Sequence, residues 1–411
     1  MRSVGIALLL SLTAAMAHAQ TAPEPAAAGG SGGLLPEPRV IEQGVGLGNK
    51  FLGESEGTPK DGFYPDLDHM ITGSGWISAG PGFRRHFWDG QALIDGSAAV
   101  SWREYKIAQG RFELTDLAEK HLTVGAQVFW QDLTQIDYFG IGEGSSDAAR
   151  SEYRMKDTDV VGYGTVHANR WLAVNGTFGW LRHPTLSSAS GWFSRDFADT
   201  LATFPADPGV AEQPDFLHGS VSITADTREH PGYARRGGVY RASVSAYGDR
   251  DDGRFSFRQY EVEGVQYIPV TAETWTLAFH GWGVFSDTSS GNVVPFYLLP
   301  SLGGQNTLRG YTDYRFHDRN LLLASGESRW ALFSHVDVAA FFDAGNVAPT
   351  VSGLDLRKTS WGAGVRVHSQ NSTLGRLDVA RSVEGWQVTF RLNDPYRVMR
   401  STMKTVAPFV P

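Results

Sequence analysis

The stretch HLTVGAQVFWQD, residues 121–132, alternates apolar and polar side chains over most of its length. In an extended strand, successive side chains point to opposite faces of the sheet. One face of this segment is therefore apolar and the other polar. The apolar face carries Leu122, Val124, Ala126, Val128 and Trp130, and the polar face carries Thr123, Gly125, Gln127 and Gln131. The pattern predicts a β-strand that lies between two environments of opposite polarity.

The same alternation recurs in other segments of about ten residues, including 216–227, 239–247, 358–369 and 384–392. This repetition predicts an all-β protein, a transmembrane antiparallel β-barrel. Lipid offers no partner for backbone N–H and C=O groups, so strands can cross a bilayer only when they pair with one another. A soluble β-sandwich also alternates, but the charges of Glu327, Arg329 and Asp343 within predicted strands argue against it.

The number of strands follows from the spacing of these segments. Roughly fifteen are recognisable, and single-chain bacterial barrels have an even number of strands. We therefore expect about sixteen strands, with the additional one before residue 182, near residues 135–140.

The two ends of the chain differ from the alternating region. Residues 1–19 combine a positive start, an apolar run and Ala17-His18-Ala19, which predicts a secretory signal peptide. Residues 20–67 are rich in Ala, Pro and Gly and are predicted to be a linker. The barrel is expected over residues 68–392, followed by a tail over residues 393–411.

Composition argues against several classes of function. The chain has no cysteine, which excludes a disulfide scaffold and a thiolate site, and its net charge of −8 gives no basic surface for nucleic acid. The Gly-x-Ser-x-Gly sequence at residues 53–57 lacks the strand–turn–helix context of a catalytic serine. The histidines show no metal-binding spacing. We expect no catalytic residues, no metal and no cofactor.

Three blocks near the C-terminus carry a family resemblance: LGGQNTLRGYTDYRFHDRN (302–320), LLLASGESRW (321–330) and VDVAAFFDAGNV (336–347). Their order and spacing resemble the C-terminal barrel of the Omp85 superfamily, the BamA/TamA-like bacterial surface antigens. The residues that carry the resemblance are Arg309, Gly310 and Tyr311, then Glu327, then Asp343 within Phe-Asp-x-Gly.

The resemblance implies a 16-stranded barrel whose long extracellular loop, residues 286–318, folds into the lumen. Arg309 would then meet Glu327 and Asp343 on the lumen wall. A carboxylate facing lipid is costly, so both acids are expected to point inward. A guanidinium can bind carboxylates through paired hydrogen bonds, which would lock the loop. The alternative is a solvated loop arginine. Other charged residues are expected to line the lumen: Arg241, Arg366, His368, Arg376 and Asp378.

The last predicted strand also resembles a family feature. Gly385, Val388 and Phe390 match the terminal β-signal that barrel-assembly machinery reads, although residues 393–411 follow it. Residues 39–66 are too short for a POTRA module, so the resemblance implies a barrel-only member.

The function expected from this resemblance is non-enzymatic. The chain would assist insertion, secretion or surface display of a limited set of proteins in the bacterial outer membrane. The alternative is a passive diffusion channel for small solutes. The expected partners are outer-membrane lipid, the barrel-assembly machinery and an unidentified client protein, with no nucleic acid, and the chain is expected to be a monomer.

Overall fold

The described part of the chain covers eight ranges. The computed structural model describes residues 33–52, 61–66, 73–191, 197–251, 253–271, 274–369, 372–392 and 394–396. The predicted signal peptide and the tail beyond residue 396 lie outside this part. Within these ranges, no helix is both long and apolar enough to cross a membrane.

Strands make up most of the described chain, and three of its nineteen strands have only two residues each. The short ones are β8 (Ala198–Asp199), β13 (Ser301–Leu302) and β14 (Phe316–His317). The other sixteen are β1 (Gly62–Asp66), β2 (Ser78–Phe87), β3 (Ala92–Ser101), β4 (Lys106–Asp116), β5 (Leu122–Tyr138), β6 (Ser151–Asn169), β7 (Leu172–Ser188), β9 (Phe216–Asp226), β10 (Gly237–Asp249), β11 (Phe257–Thr271), β12 (Trp275–Thr288), β15 (Asn320–Phe333), β16 (Val336–Ala348), β17 (Lys358–His368), β18 (Thr373–Ser382) and β19 (Gly385–Arg391). Helix α1 (Arg39–Leu52) precedes β1, and the single turn α2 (Thr200–Thr203) follows β8.

Each long strand pairs antiparallel with the next long strand along the chain, from β1 to β19. Strand β7 pairs with β9 and β12 pairs with β15, so the two-residue strands do not interrupt the series. Strands β13 and β14 form a separate two-stranded sheet. The all-β antiparallel architecture that the alternation predicts is confirmed.

The strand expected near residues 135–140 does not exist as a separate element, and that prediction is wrong. Residues up to Tyr138 continue β5. The additional strand is β1, whose register with β2 runs from Gly62 opposite Arg84 to Asp66 opposite Gly80. Residues 131–138 are buried on both faces of β5, so their side chains need not alternate in polarity and the sequence pattern ends before the strand does.

Regular structure also occurs within residues 20–67, where the composition predicts a linker. Both α1 and β1 lie there. The backbone N–H groups of Leu34 and Leu35 donate to the carbonyl oxygens of Ala331 and Leu332, each at 2.9 Å. The described start of the chain is therefore attached to the end of β15.

Burial in the large sheet is reversed relative to a water-soluble protein. Charged side chains on one face are almost inaccessible: Glu327 is 3%, Asp343 0% and Arg366 1% exposed. Apolar side chains on the other face are open, with Phe342 51% and Trp386 56% exposed. We call these the inner and outer faces. An extended apolar outer surface of this kind has the composition of a lipid-facing barrel wall.

Neighbouring positions on β10 test the assignment of the two faces. Val244 lies on the apolar outer face, whereas Ser245 lies on the inner face. We expect Val244→Arg to lower the free energy of unfolding in lipid by about 2–4 kcal/mol, because it places a charge in hydrocarbon. Ser245→Arg is the matched control and should lower the free energy of unfolding by a smaller amount. Urea unfolding in phospholipid vesicles measures both, and equal losses would contradict the assignment.

Candidate functional site

The β12–β15 loop, residues 289–319, packs against the inner face of the sheet. Gly303 and Gly304 have φ angles of 117° and 95°, a conformation that glycine adopts readily, so the chain can reverse there. Apolar loop residues are buried in one cluster with residues of the wall: Leu302, Leu308, Tyr311 and Phe316 with Leu321, Leu323 and Val347. Apolar packing therefore already holds the loop inward.

Arg309 and Asp343 form a bidentate ion pair between this loop and β16. Nε of Arg309 donates to Oδ2 of Asp343 at 3.0 Å, and Nη2 donates to Oδ1 at 2.7 Å. The backbone N–H of Arg309 also donates to Oδ2, at 3.2 Å. The guanidinium lies over the ring of Phe341, 3.4 Å from its centroid. Paired hydrogen bonds of this kind fix the orientation of both groups as well as their separation.

Glu327 on β15 accepts hydrogen bonds from three arginines. Nη1 of Arg309 lies 2.6 Å from Oε2, and Nε of Arg329 lies 2.8 Å from Oε1. Nη2 of Arg366 donates to Oε2 at 3.1 Å. The structure thus brings Arg309, Glu327 and Asp343 together, and Arg329 and Arg366 join them. Attraction between opposite charges is strong where water is excluded.

The ion pairs continue from Arg366 to β18. Asp378 accepts from Nη1 of Arg366 and, at 2.8 Å, from Nη1 of Arg376. Nη2 of Arg376 in turn donates to the carbonyl oxygen of Gln305 at 2.8 Å and to Oδ1 of Asn306 at 2.7 Å. These arginines were expected to line a hydrated wall, but here both are buried, and Arg376 binds the loop directly.

Gly310 and Tyr311, the two residues after Arg309, have different surroundings. A Cβ atom at Gly310 would lie 2.7 Å from the Cβ of Ser360 and 2.8 Å from the carbonyl carbon of Arg381. The carbonyl oxygen of Gly310 accepts from Oγ of Ser382 at 2.7 Å. Tyr311 is 3% exposed and belongs to the apolar cluster of the loop. Arg309 therefore contacts buried carboxylates, Gly310 lies close to the backbone of β18, and Tyr311 lies in an apolar cluster.

Arg315 is a second anchor of the loop, and no motif in the sequence marks it. Its Nε donates to Glu384, in the β18–β19 turn, at 2.9 Å. Nη1 and Nη2 donate to the hydroxyl and the carbonyl oxygen of Ser145, at 2.8 and 2.7 Å. Ser145 belongs to the β5–β6 connection, so Arg315 joins three segments that are far apart in sequence.

The predicted tail also contributes side chains to this site. Asp394 accepts from Nη1 of Arg329 at 2.7 Å, and Nη2 of Arg309 donates to the hydroxyl oxygen of Tyr396 at 3.3 Å. Burial raises the pKa of the Tyr396 hydroxyl well above its ordinary value, so the phenol stays neutral beside these two arginines. No sequence signal after β19 distinguishes these two residues from an ordinary solvated tail.

The proposed terminal signal lies on the last strand. Gly385 begins β19 with a φ of 125°, which suits glycine after a tight turn. Val388 is 54% exposed on the outer face, and Phe390 lies opposite Leu377 of β18. Their role as a recognition signal remains a prediction.

The site has the chemistry of an anchor. In the described ranges, no group of three or more His, Cys, Asp or Glu side chains is arranged to hold a metal ion. The Gly-x-Ser-x-Gly sequence at residues 53–57 lies outside those ranges. What the site supplies is a set of charge-assisted hydrogen bonds that attach one loop to the inner face.

The ion pairs of Arg309 predict a graded loss of loop attachment. Arg309→Lys keeps the charge but loses the paired donors, and Arg309→Ala leaves both carboxylates short of a cation. Breaking a buried pair from one side costs about 3–5 kcal/mol. We expect lower heat resistance in semi-native gels and faster protease cleavage within residues 289–319, more so for the alanine variant. Arg254→Ala is the control because that side chain is 59% exposed. Unchanged behaviour of both Arg309 variants would contradict the lock.

The close approach at Gly310 gives an independent prediction. Gly310→Ala should also lower heat resistance, because its Cβ would press on the backbone of Arg381 and on Ser360. Gly144→Ala is the matched control, since a Cβ there would meet nothing within 4 Å. Equal heat resistance of the two variants would show that the loop can withdraw from β17 and β18 at little cost.

Comparison with known proteins identifies the family. The Omp85 superfamily domain matches residues 104–385. No curated protein sequence matches the chain. The fold is similar to BamA from Haemophilus ducreyi lacking POTRA domains 1-3, with a TM-score of 0.60 and 15% identity over 81% of this chain and 70% of that one. It is also similar to CdiB from Escherichia coli, with a TM-score of 0.52 and 16% identity over 86% and 69%. Because the domain match spans more than half of the 411 residues, this chain belongs to the Omp85 superfamily.

Proposed function

We propose that this chain is a non-enzymatic β-barrel of the bacterial outer membrane that assists insertion, secretion or surface display of a limited set of proteins. Membership of the Omp85 superfamily and the fold shared with BamA and CdiB support this proposal. Its partners would be outer-membrane lipid, the barrel-assembly machinery during its own insertion, and one or a few client proteins, and it would act as a monomer.

The observation that carries the proposal is the length of the strands at the two ends of the series. In the part of the chain that the structure describes, strand β1 has five residues and β19 has seven, whereas every other long strand has at least ten. Short strands offer few backbone groups for mutual pairing. A seam between β1 and β19 would therefore be the weakest join in the wall and the easiest to separate.

A separated strand edge can bind another polypeptide through its backbone. Unpaired N–H and C=O groups form hydrogen bonds with an extended segment, as in other cases of strand addition. The buried salt bridges of Arg309 hold the wall at β15 and β16, so a seam could open at the ends while the middle of the series stays fixed.

The competing function is passive diffusion of small solutes, and the inner face argues against it. The β12–β15 loop carries buried residues from Phe296 to His317 against that face. A passage for solutes would have to run beside this packed loop. Steady solute flux with no client would favour the channel.

The proposal predicts a defined change in the outer-membrane proteome. Cells without the gene should selectively lose one or a few proteins from the outer-membrane and surface fractions, measured by quantitative proteomics. A variant with one cysteine in β1 and one in β19 should restore these proteins only under reducing conditions, because the disulfide joins the seam. The natural chain has no cysteine to compete.

The matched control places the disulfide away from the seam. Ser97→Cys with Gln109→Cys joins directly opposite residues of β3 and β4, so this variant should restore the client proteins whether oxidised or reduced. An unchanged proteome after deletion of the gene would contradict the proposal and favour the diffusion channel. Full restoration by an oxidised seam tether would show that the seam does not need to open.

A further inference from the structure

The chain turns inward after its last strand. β19 ends at Arg391, and three residues later the carboxylate of Asp394 accepts the backbone N–H of Tyr396 at 2.9 Å. Tyr396 is 2% exposed, and the Asp394 side chain is 10% exposed. A tail that ran into solvent would leave both residues hydrated. Here both are taken up by the inner face.

Asp394 binds the wall through Arg329. Nη1 and Nη2 of Arg329 donate to its two carboxylate oxygens at 2.7 and 3.3 Å. The Nε of the same arginine donates to Glu327 at 2.8 Å. Because Glu327 also binds Arg309, Arg329 connects Asp394 to the arginine that anchors the loop.

The net charge of the ion cluster depends on Asp394. The salt bridges that start at Glu327 connect eight buried or nearly buried side chains: Arg309, Arg329, Arg366 and Arg376 with Glu327, Asp343, Asp378 and Asp394. Four cations thus face four carboxylates. Without Asp394, four cations would face three carboxylates, and a buried charge without a partner is strongly unfavourable.

Tyr396 reaches strands β11 and β12 of the wall. Its ring is buried in one apolar cluster with Tyr267 of β11 and Ala278 of β12, and its centroid lies 5.3 Å from that of His280. Its hydroxyl oxygen accepts from Arg309 at 3.3 Å. Four strands, β15 to β18, separate β12 from β19 in the series. The segment therefore extends from β19 along the inner face to β15, β12 and β11.

We propose that the segment from Asp394 to Tyr396 is an internal ligand of the lumen, which occupies the passage and neutralises its arginine cluster. Its binding site is specific for a carboxylate two residues before an aromatic ring. When the segment leaves, the lumen gains space and one uncompensated positive charge. The site is then free to take another acidic, aromatic peptide segment of the same kind.

Planar-bilayer recording tests this inference. A chain ending at Leu392 should show a several-fold higher conductance than the full chain, and its reversal potential in a salt gradient should shift toward anion selectivity. Asp394→Asn in the full chain keeps the volume of the side chain but removes its charge, so it should shift selectivity with a smaller rise in conductance. Tyr396→Ala should raise conductance with a smaller change in selectivity.

A peptide added in trans separates binding from a general loss of structure. A synthetic peptide of residues 393–411, added on the side where β19 ends, should lower the conductance of the chain that ends at Leu392. The same peptide with Asp394→Asn and Tyr396→Ala should not. Heat resistance in semi-native gels shows whether each variant is folded.

Two results would overturn the inference. One is unchanged conductance and selectivity in the folded, shortened chain. The other is unchanged selectivity in Asp394→Asn, which remains decisive if the shortened chain does not fold. The inference goes beyond the proposed function, and its test needs no client protein. If the recordings contradict the internal ligand, the proposed function still stands. If the proteome contradicts the proposed function, the internal ligand still stands.

Discussion

The carboxylate of Glu327 is the group on which the inner structure depends. It is buried on β15, and three arginines donate to it. An ionised carboxylate out of water is tolerated only with close partners of opposite charge. One of the three, Arg309, comes from the β12–β15 loop. The wall and the loop therefore require each other: without the loop the wall carries underpaired acids, and outside the wall the arginine loses its specific partners.

The same loop is attached to two parts of the sheet with different strength. Arg309 is anchored to β15 and β16 through carboxylates that are fully buried. Arg315 is anchored to Glu384, whose side chain is 21% exposed, in the turn before the last strand. Water screens and competes for the second contact more than the first. A displacement of the last hairpin would therefore break the Arg315 contact while the Arg309 anchor persists, which confines the motion to the end of the series.

Much of this fold could be predicted from the sequence, because alternating polarity records which side of a strand faces which environment. Val124 and Gln127 of β5, for example, lie on the predicted outer and inner faces. The prediction failed where that physical contrast is absent. Residues 131–138 are buried on both sides and show no useful alternation, and β1 has only five residues, one of them Pro65. Too few side chains carry the signal there to outweigh the surrounding composition.

The candidate site was predictable in part for a related reason. A strand acid such as Glu327 must point inward, and the resemblance supplied its partner, Arg309. The contribution of Asp394 depends on a contact between distant residues, which no local pattern records. Once the salt bridges are known, charge balance shows the dependence: β15 to β18 and the loop arginine supply four cations but three acids to this cluster. Since buried charges need partners, the fourth carboxylate has to come from a segment outside these strands, and only the three-dimensional contacts identify it as Asp394.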